Sequence, residues 1–138
     1  MGSLSDYAEN KILDHINGKT SFTMPTVYIG LKTADPTDDN SGGTEPTAGT
    51  GGYARITTTA SDWASAASGA TSNAATLSFD ASTAAWSTGS TDLTHFIIMD
   101  ALTGGNMLGH GELDTARNVD EADVVIRFAV GALDITLD

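Results

Sequence analysis

The chain contains no cysteine in its 138 residues, so disulfides and thiolate metal centres are excluded and the redox compartment is left open. Positive charge is scarce. Six Lys and Arg face 18 Asp and Glu, a formal net charge of −12. The six cations (Lys11, Lys19, Lys32, Arg55, Arg117 and Arg127) are scattered, whereas binding a phosphate backbone needs them clustered. Nucleic acid is therefore not expected as a partner. No apolar run approaches the roughly 20 residues that span a bilayer, so no membrane segment is expected. The start, Met1-Gly2-Ser3, is polar and leads us to expect no secretory leader.

What remains is a chain of small residues. Ala, Gly, Ser and Thr dominate, and only 17% of residues are charged. Threonine favours strands and turns, so the composition implies a β-rich globule with long Gly/Ser/Thr loops. The length suits one domain spanning 1–138, with neither an internal repeat nor a boundary visible. The excess of acid implies a solvated, soluble surface, or one that docks on a basic patch of a partner.

The first segment predicts a helix over 4–17. Leu4, Ala8, Ile12 and Ile16 recur at four-residue spacing beside Tyr7 and Leu13. Ser3 or Ser5 can cap its start, Asp6 suits the first turn, and Gly18 can close it in the left-handed region. Such a helix covers an open end of a β core or packs on a neighbouring subunit.

From Pro25 the period changes to two. Val27, Ile29 and Leu31 alternate with Tyr28 and Lys32 as in a half-buried strand. Residues 34–52 hold two prolines and five glycines with little to bury, and predict a long exposed loop. Strands are expected at 53–58, 75–79, 94–100, 107–113, 123–129 and 132–137, with a polar loop at 82–92. Thr103-Gly-Gly-Asn106 marks a hairpin joining 94–100 to 107–113. The last two strands are expected to pair with each other around Gly131, Leu133, Ile135 and Leu137 facing one way and Asp134, Thr136 and Asp138 the other. The fold class expected is all-β, an antiparallel β-sandwich of jelly-roll or Ig-like type with a short N-terminal helix.

Catalytic signatures are missing. No serine sits in a nucleophile elbow, and no glycine-rich phosphate loop opens a helix after a strand. Paired carboxylates for glycoside hydrolysis are not framed by an aromatic cleft, since the acidic residues cluster in loops. His15, His95 and His110 lack ligand spacing. His95 and His110 fall on paired strands and would need Glu112 or Asp100 to complete a metal site, so structural histidines are the better reading. Asp35, Asp38, Asp39, Asn40 and Glu45 are hard oxygen ligands. The calcium-loop pattern nevertheless fails, because counting from Asp35 position six is Asn40 and position twelve is Pro46. No enzyme activity, metal or cofactor is expected. Trp63 and Trp86 each stand alone among Ala and Ser, where a large ring plugs the edge of a small-residue core more readily than it forms a sugar platform.

Several stretches, taken in order, carry a family resemblance: Leu4-Ser-Asp-Tyr-Ala-Glu-Asn-Lys-Ile-Leu-Asp-His15, Val27-Tyr-Ile-Gly-Leu-Lys-Thr-Ala-Asp-Pro-Thr-Asp38, Gly51-Gly-Tyr-Ala-Arg55, Ser72-Asn73, Thr94-His-Phe96, Asp100-Ala-Leu-Thr-Gly-Gly-Asn106 and Leu133-Asp-Ile-Thr-Leu-Asp138. Together they resemble a family of small bacteriophage virion structural proteins, described as tail-fibre-like. Asp80 follows Phe79 where the family pattern has proline, and the loop from Ser82 to Asp92 is longer. The resemblance implies a β-sandwich without a catalytic motif.

Because nothing in the chain is long or repetitive like a fibre shaft, it is expected to be a capsid decoration (cement) protein. It would be made in the host cytoplasm and sit on the capsid exterior, with the major capsid protein as partner. A tail fibre or baseplate component is the alternative, and a host-surface carbohydrate-binding module a third. A homo-oligomer, trimer or dimer, is expected, with the N-terminal helix and the Ala-rich stretch 64–75 as its surfaces. Loops 34–52 and 80–92 and the N-terminal segment should make the contacts, through Asp35, Asp38, Asp39, Glu45, Trp86, Tyr7 and Ile12.

Overall fold

Alternation in the sequence becomes a sheet whose two faces are covered by different materials. The computed structural model describes residues 2–23 and 25–137. Met1 of the polar start and Asp138, expected to face solvent, lie outside the described residues. The elements in order are β1 (Gly2–Leu4), α1 (Asp6–Ile16), β2 (Tyr28–Lys32), β3 (Ile56–Thr57), β4 (Ala70–Ser72), β5 (Leu77–Ser78), β6 (Leu93–Met99), β7 (Met107–Arg117), β8 (Arg127–Phe128) and β9 (Asp134–Thr136).

Seven strands form one mixed sheet in the order β3-β2-β6-β7-β1-β9-β4, and β5 and β8 form a separate antiparallel pair. The chain is mostly β with one helix. The pairing divides the strands seven to two, and the even halves of the jelly-roll or Ig-like sandwich are not what it shows. The β6–β7 hairpin is present, with His95 opposite Glu112 and Ile97 opposite His110. One expected pairing differs, since the last two strands do not pair with each other. β8 pairs with β5 through Leu77↔Phe128, while β9 runs antiparallel to β4 and parallel to β1 through Gly2↔Ile135. Period-two alternation fixes which face a side chain takes and leaves the neighbouring strand open.

The helix is shorter than predicted. Leu4 belongs to β1, opposite Gly109 of β7, and Ser5 is the cap. Its Oγ accepts from Ala8 N at 3.3 Å and donates to Met107 O. At the far end Gly18 takes φ +70° and its N–H donates to His15 O, closing the last turn.

On one face of the sheet Ile29, Leu31, Phe96 and Ile98 meet Leu77 and Phe128 of the β5–β8 pair. Tyr53, Phe79 and Trp86 fill the space between in edge and stacked contacts, with ring centroids 4.8 to 5.8 Å apart. This is the main core. Phe96 lies flat enough to need glycine across from it, since a Cβ on Gly111 would stand 2.6 Å from its ring. On the opposite face Ile97, Met99 and Met107 form a smaller apolar cluster with Tyr28 against them. Lys32, His95, Glu112 and His110 continue that face by register, and it is there that the long loop lands.

Candidate functional site

The loop between β2 and β3 carries Asp35, Asp38, Asp39 and Glu45, and its structure follows from where its polar groups find partners. Lys32 and His110 occupy sheet positions that point toward it. Lys32 is only 6% exposed, and burial pulls its amine below the usual lysine range. Its Nζ donates to Asn40 O at 3.1 Å and to Gly42 O at 2.8 Å. The His110 ring reaches Asp38 Oδ1 from Nε2 at 3.1 Å and lies 3.7 Å from Asp35 Oδ1 through Nδ1. Thr33 and Thr44 close the base of the excursion, Thr33 N to Thr44 O at 3.1 Å and Thr44 N to Thr33 Oγ1 at 3.0 Å.

Within the loop, Asp39 Oδ1 accepts from Thr37 Oγ1 at 2.6 Å and from Ser41 N at 3.0 Å. The hydroxyls of Thr37 and Ser41 and the Ser41 amide hold its carboxyl down to about 2. Thr37 and Asn40 both take positive φ, near 60°, to make these turns. Pro36 is wholly buried and Pro46 is buried too. Most of 34–52 is exposed, and with Pro36 and Pro46 as its buried points 33–47 lies as a fitted cover over the polar half of a sheet face.

Glu45 closes that cover from below. Its carboxylate accepts from Arg55 Nε and Nη2, each at 2.7 Å, and from the Tyr53 hydroxyl at 2.8 Å. Arg55 Nη1 then donates to Ala101 O at 2.6 Å and Gly104 O at 2.8 Å, tying the loop to the β6–β7 turn. Burial by itself would lower Arg55, but the hydrogen bonds and charge of Glu45 outweigh it and raise it; burial, then Glu45, pushes the Tyr53 hydroxyl above its ordinary range. Gly30 leaves the room, because a Cβ there would stand 2.8 Å from Glu45 Oε1 and 3.1 Å from the Tyr53 hydroxyl.

The expected contact residues thus separate. Asp35 and Asp38 keep side chains 64% and 61% exposed, and Asp39 is exposed as well. Asp38 and Asp39 join Tyr7, Asp6 and Asn106 around an open cleft of about 290 Å³, and Lys11 Nζ lies 5.5 Å from the centre of the Tyr7 ring. Ile12 is half-buried on α1, away from this cleft. Glu45 is turned inward and spent on Arg55 and Tyr53. Trp86 is 3% exposed, so its ring serves the core and does not reach the surface from loop 80–92. Sequence reasoning missed Lys32, His110, Tyr53 and Arg55 as the groups that hold the loop. The available signal was an ionisable residue at a sheet-facing position of an otherwise apolar strand, as in Lys32 after Leu31.

Among the described residues no three His, Asp or Glu side chains are grouped to hold a metal ion. His95 pairs in register with Glu112, and its Nδ1 lies 2.9 Å from the Thr94 hydroxyl. No helix among them is long and apolar enough to cross a membrane. The site can present carboxylates on a braced scaffold.

Compared with known families, residues 3–136 match the model described as "Podophage GP4 fiber I protein gp80". No curated protein matches the chain.

Proposed function

The chain belongs to the podophage GP4 fiber I protein gp80 family, and from that premise we propose that it is a non-enzymatic structural component of a tail fibre in a podophage particle. The observation that carries this reading is the extent of the match, which runs from β1 through the braced loop to β9. It supports the fibre alternative over capsid decoration, a reading that rested only on the lack of a repetitive shaft. The braced acidic loop suits such a role, because a docking surface on a rigid scaffold loses little entropy on binding.

In this proposal the neighbours are tail or baseplate proteins, met through Asp35, Asp38, Asp39 and Tyr7. Copies of the chain meet one another through α1, the expected trimer or dimer. Only Ala8 of α1 is buried, while Leu13 and Ile16 are 56% and 72% exposed. An isolated eleven-residue helix is marginal in water, and packing of its apolar side would stabilise it.

The test is to label the protein on intact particles with gold-conjugated antibody and image them. Label confined to the tail is expected. Label spread evenly over the shell would return the protein to the decoration class.

A further inference from the structure

The His110 imidazole is buried beneath the acidic loop with a carboxylate at each ring nitrogen. Nε2 lies 3.1 Å from Asp38 Oδ1, a hydrogen bond. Nδ1 lies 3.7 Å from Asp35 Oδ1, outside hydrogen-bond reach and within ion-pair range. The ring faces the loop because of its register: it stands opposite Ile97 of β6 and Ser3 of β1, on the sheet face that the loop covers.

Both carboxylates belong to segments with further ties. Asp35 Oδ1 accepts from Thr37 N at 2.9 Å, and Asp38 O accepts from Asp6 N at 3.2 Å, at the start of α1. The ring is thus a junction of sheet, loop and helix. Other ionisable groups surround it. On its own strand Glu112 follows two places along the same face, and on β6 His95 stands opposite Glu112. On β2 Lys32 stands opposite His95 and gives its ammonium to the Asn40 and Gly42 carbonyls. In the loop Asp39 is engaged by Thr37 and Ser41, and α1 brings Asp6 and Tyr7 to the cleft beside Asp38.

A neutral imidazole has a single N–H and can donate to one of its two acids. Imidazolium has two and can serve both. We propose that His110 is a proton-operated latch on the acidic loop: neutral, it tethers the loop through Asp38, and charged, it also draws Asp35 onto Nδ1 and clamps 35–38 against the sheet. Histidine is the side chain that ordinarily changes charge between pH 8 and 5, where carboxylates as a class stay ionised. Acid therefore tightens the loop and alkali frees Asp35. Charging the ring also sets a positive charge between two of the exposed carboxylates and lowers the negative charge that the loop presents. The latch rests on the contacts of His110 and stands apart from the tail-fibre reading.

The experiment uses the full chain, labelled with ¹⁵N. Long-range imidazole spectra report the charge of His110, told from His15 and His95 with His110→Gln. Opening of the loop is read from hydrogen exchange of the Gly42 amide, which donates to Pro36 O at 2.8 Å, and of the Asp6 amide. Each rate is divided by the unstructured rate at the same pH. Protection of both amides should rise by about two- to fivefold from pH 8 to pH 5, the span of a part-exposed ion pair, in step with charging of the ring. Asp35→Asn changes a mostly exposed side chain and leaves the Asp38 tether in place. It should abolish the rise, as should His110→Gln, whereas His95→Gln should keep it. Where His110→Gln does not fold, Asp35→Asn carries the test. Four results would each overturn the latch: the ring stays neutral at pH 5, it charges without a change in protection, the rise survives Asp35→Asn, or the rise is lost in His95→Gln. The last would assign the effect to the His95–Glu112 pair.

Discussion

Arg55 grips Glu45 through two parallel hydrogen bonds of 2.7 Å and, from the same guanidinium, holds the carbonyls of Ala101 and Gly104. One side chain thereby fastens the acidic loop, β3's approach and the β6–β7 turn to each other. Removing a partner from a mostly buried ion pair leaves the other charge uncompensated. Arg55→Ala is expected to lower unfolding stability by about 3 kcal/mol, read from urea midpoints. Arg55→Lys should recover only part of it, since an ammonium cannot reproduce the planar fork.

Gly30 is expected to tolerate no side chain. In Gly30→Ala the new methyl would meet the Glu45 carboxylate and the Tyr53 hydroxyl, and Ile97 at 3.0 Å behind them. A cost of about 1–3 kcal/mol follows from overpacking, measurable by thermal unfolding. The same change in a Glu45→Ala background should cost less, because the nearest obstacle is gone.

The loop cover should open in steps. His110→Ala removes one tether at Asp38 and Lys32→Met another at Asn40 and Gly42. Each single variant should lose about 1–2 kcal/mol at most, and the Lys32 variant the more, because two carbonyls lose a charged donor. The double variant should be cut by protease within 35–44 while the β6–β7 hairpin amides stay protected from exchange. Cleavage no faster than in the parent would mean that Pro36 and the Glu45–Arg55 pair alone hold the loop.

Acid should loosen the turn around Asp39. Its carboxyl is depressed from 3.8 to about 2 by the Thr37 hydroxyl first, then by Ser41. A depressed folded-state value means that its contribution is complete above 3.8 and fades as the pH falls through about 2. The amide of Ser41, which donates to Asp39 at 3.0 Å, should stay protected down to that window and exchange faster within it. Asp39→Asn should remove the dependence.

Strands and faces could be read from the chain; partners could not. Val27 to Lys32, Thr94 to Met99 and the Gly104–Gly105 turn announced β2, β6 and the β6–β7 hairpin, because alternation and turn chemistry are local properties. The same alternation at 132–137 said nothing of whether β9 would sit beside β8 or between β1 and β4. The anchors of the loop at 34–52 were hidden for a related reason. Its composition speaks of solvent, and most of it is exposed, but that composition says nothing of Lys32, Arg55 and His110, which meet its carbonyls and carboxylates, the last about seventy residues away in sequence. Of the expected contact residues, Asp38, Asp39 and Tyr7 share a cleft, and Glu45 and Trp86 turn inward. Nothing within a few residues of Glu45 marks it as different from Asp38.

The placement of β1 between β7 and β9 has a consequence for synthesis. Gly2 leaves the ribosome well before its partners Gly111 and Ile135, which lie far downstream in the chain. Until then the early strand has no edge to join, and the β6–β7 hairpin must form before there is a template for it. Closure of the sheet is thus a late, long-range event, of the kind that slows folding and leaves a bare strand edge exposed meanwhile. The nascent chain would need protection in the cell for as long as the stretch from Gly2 to Ile135 takes to be made.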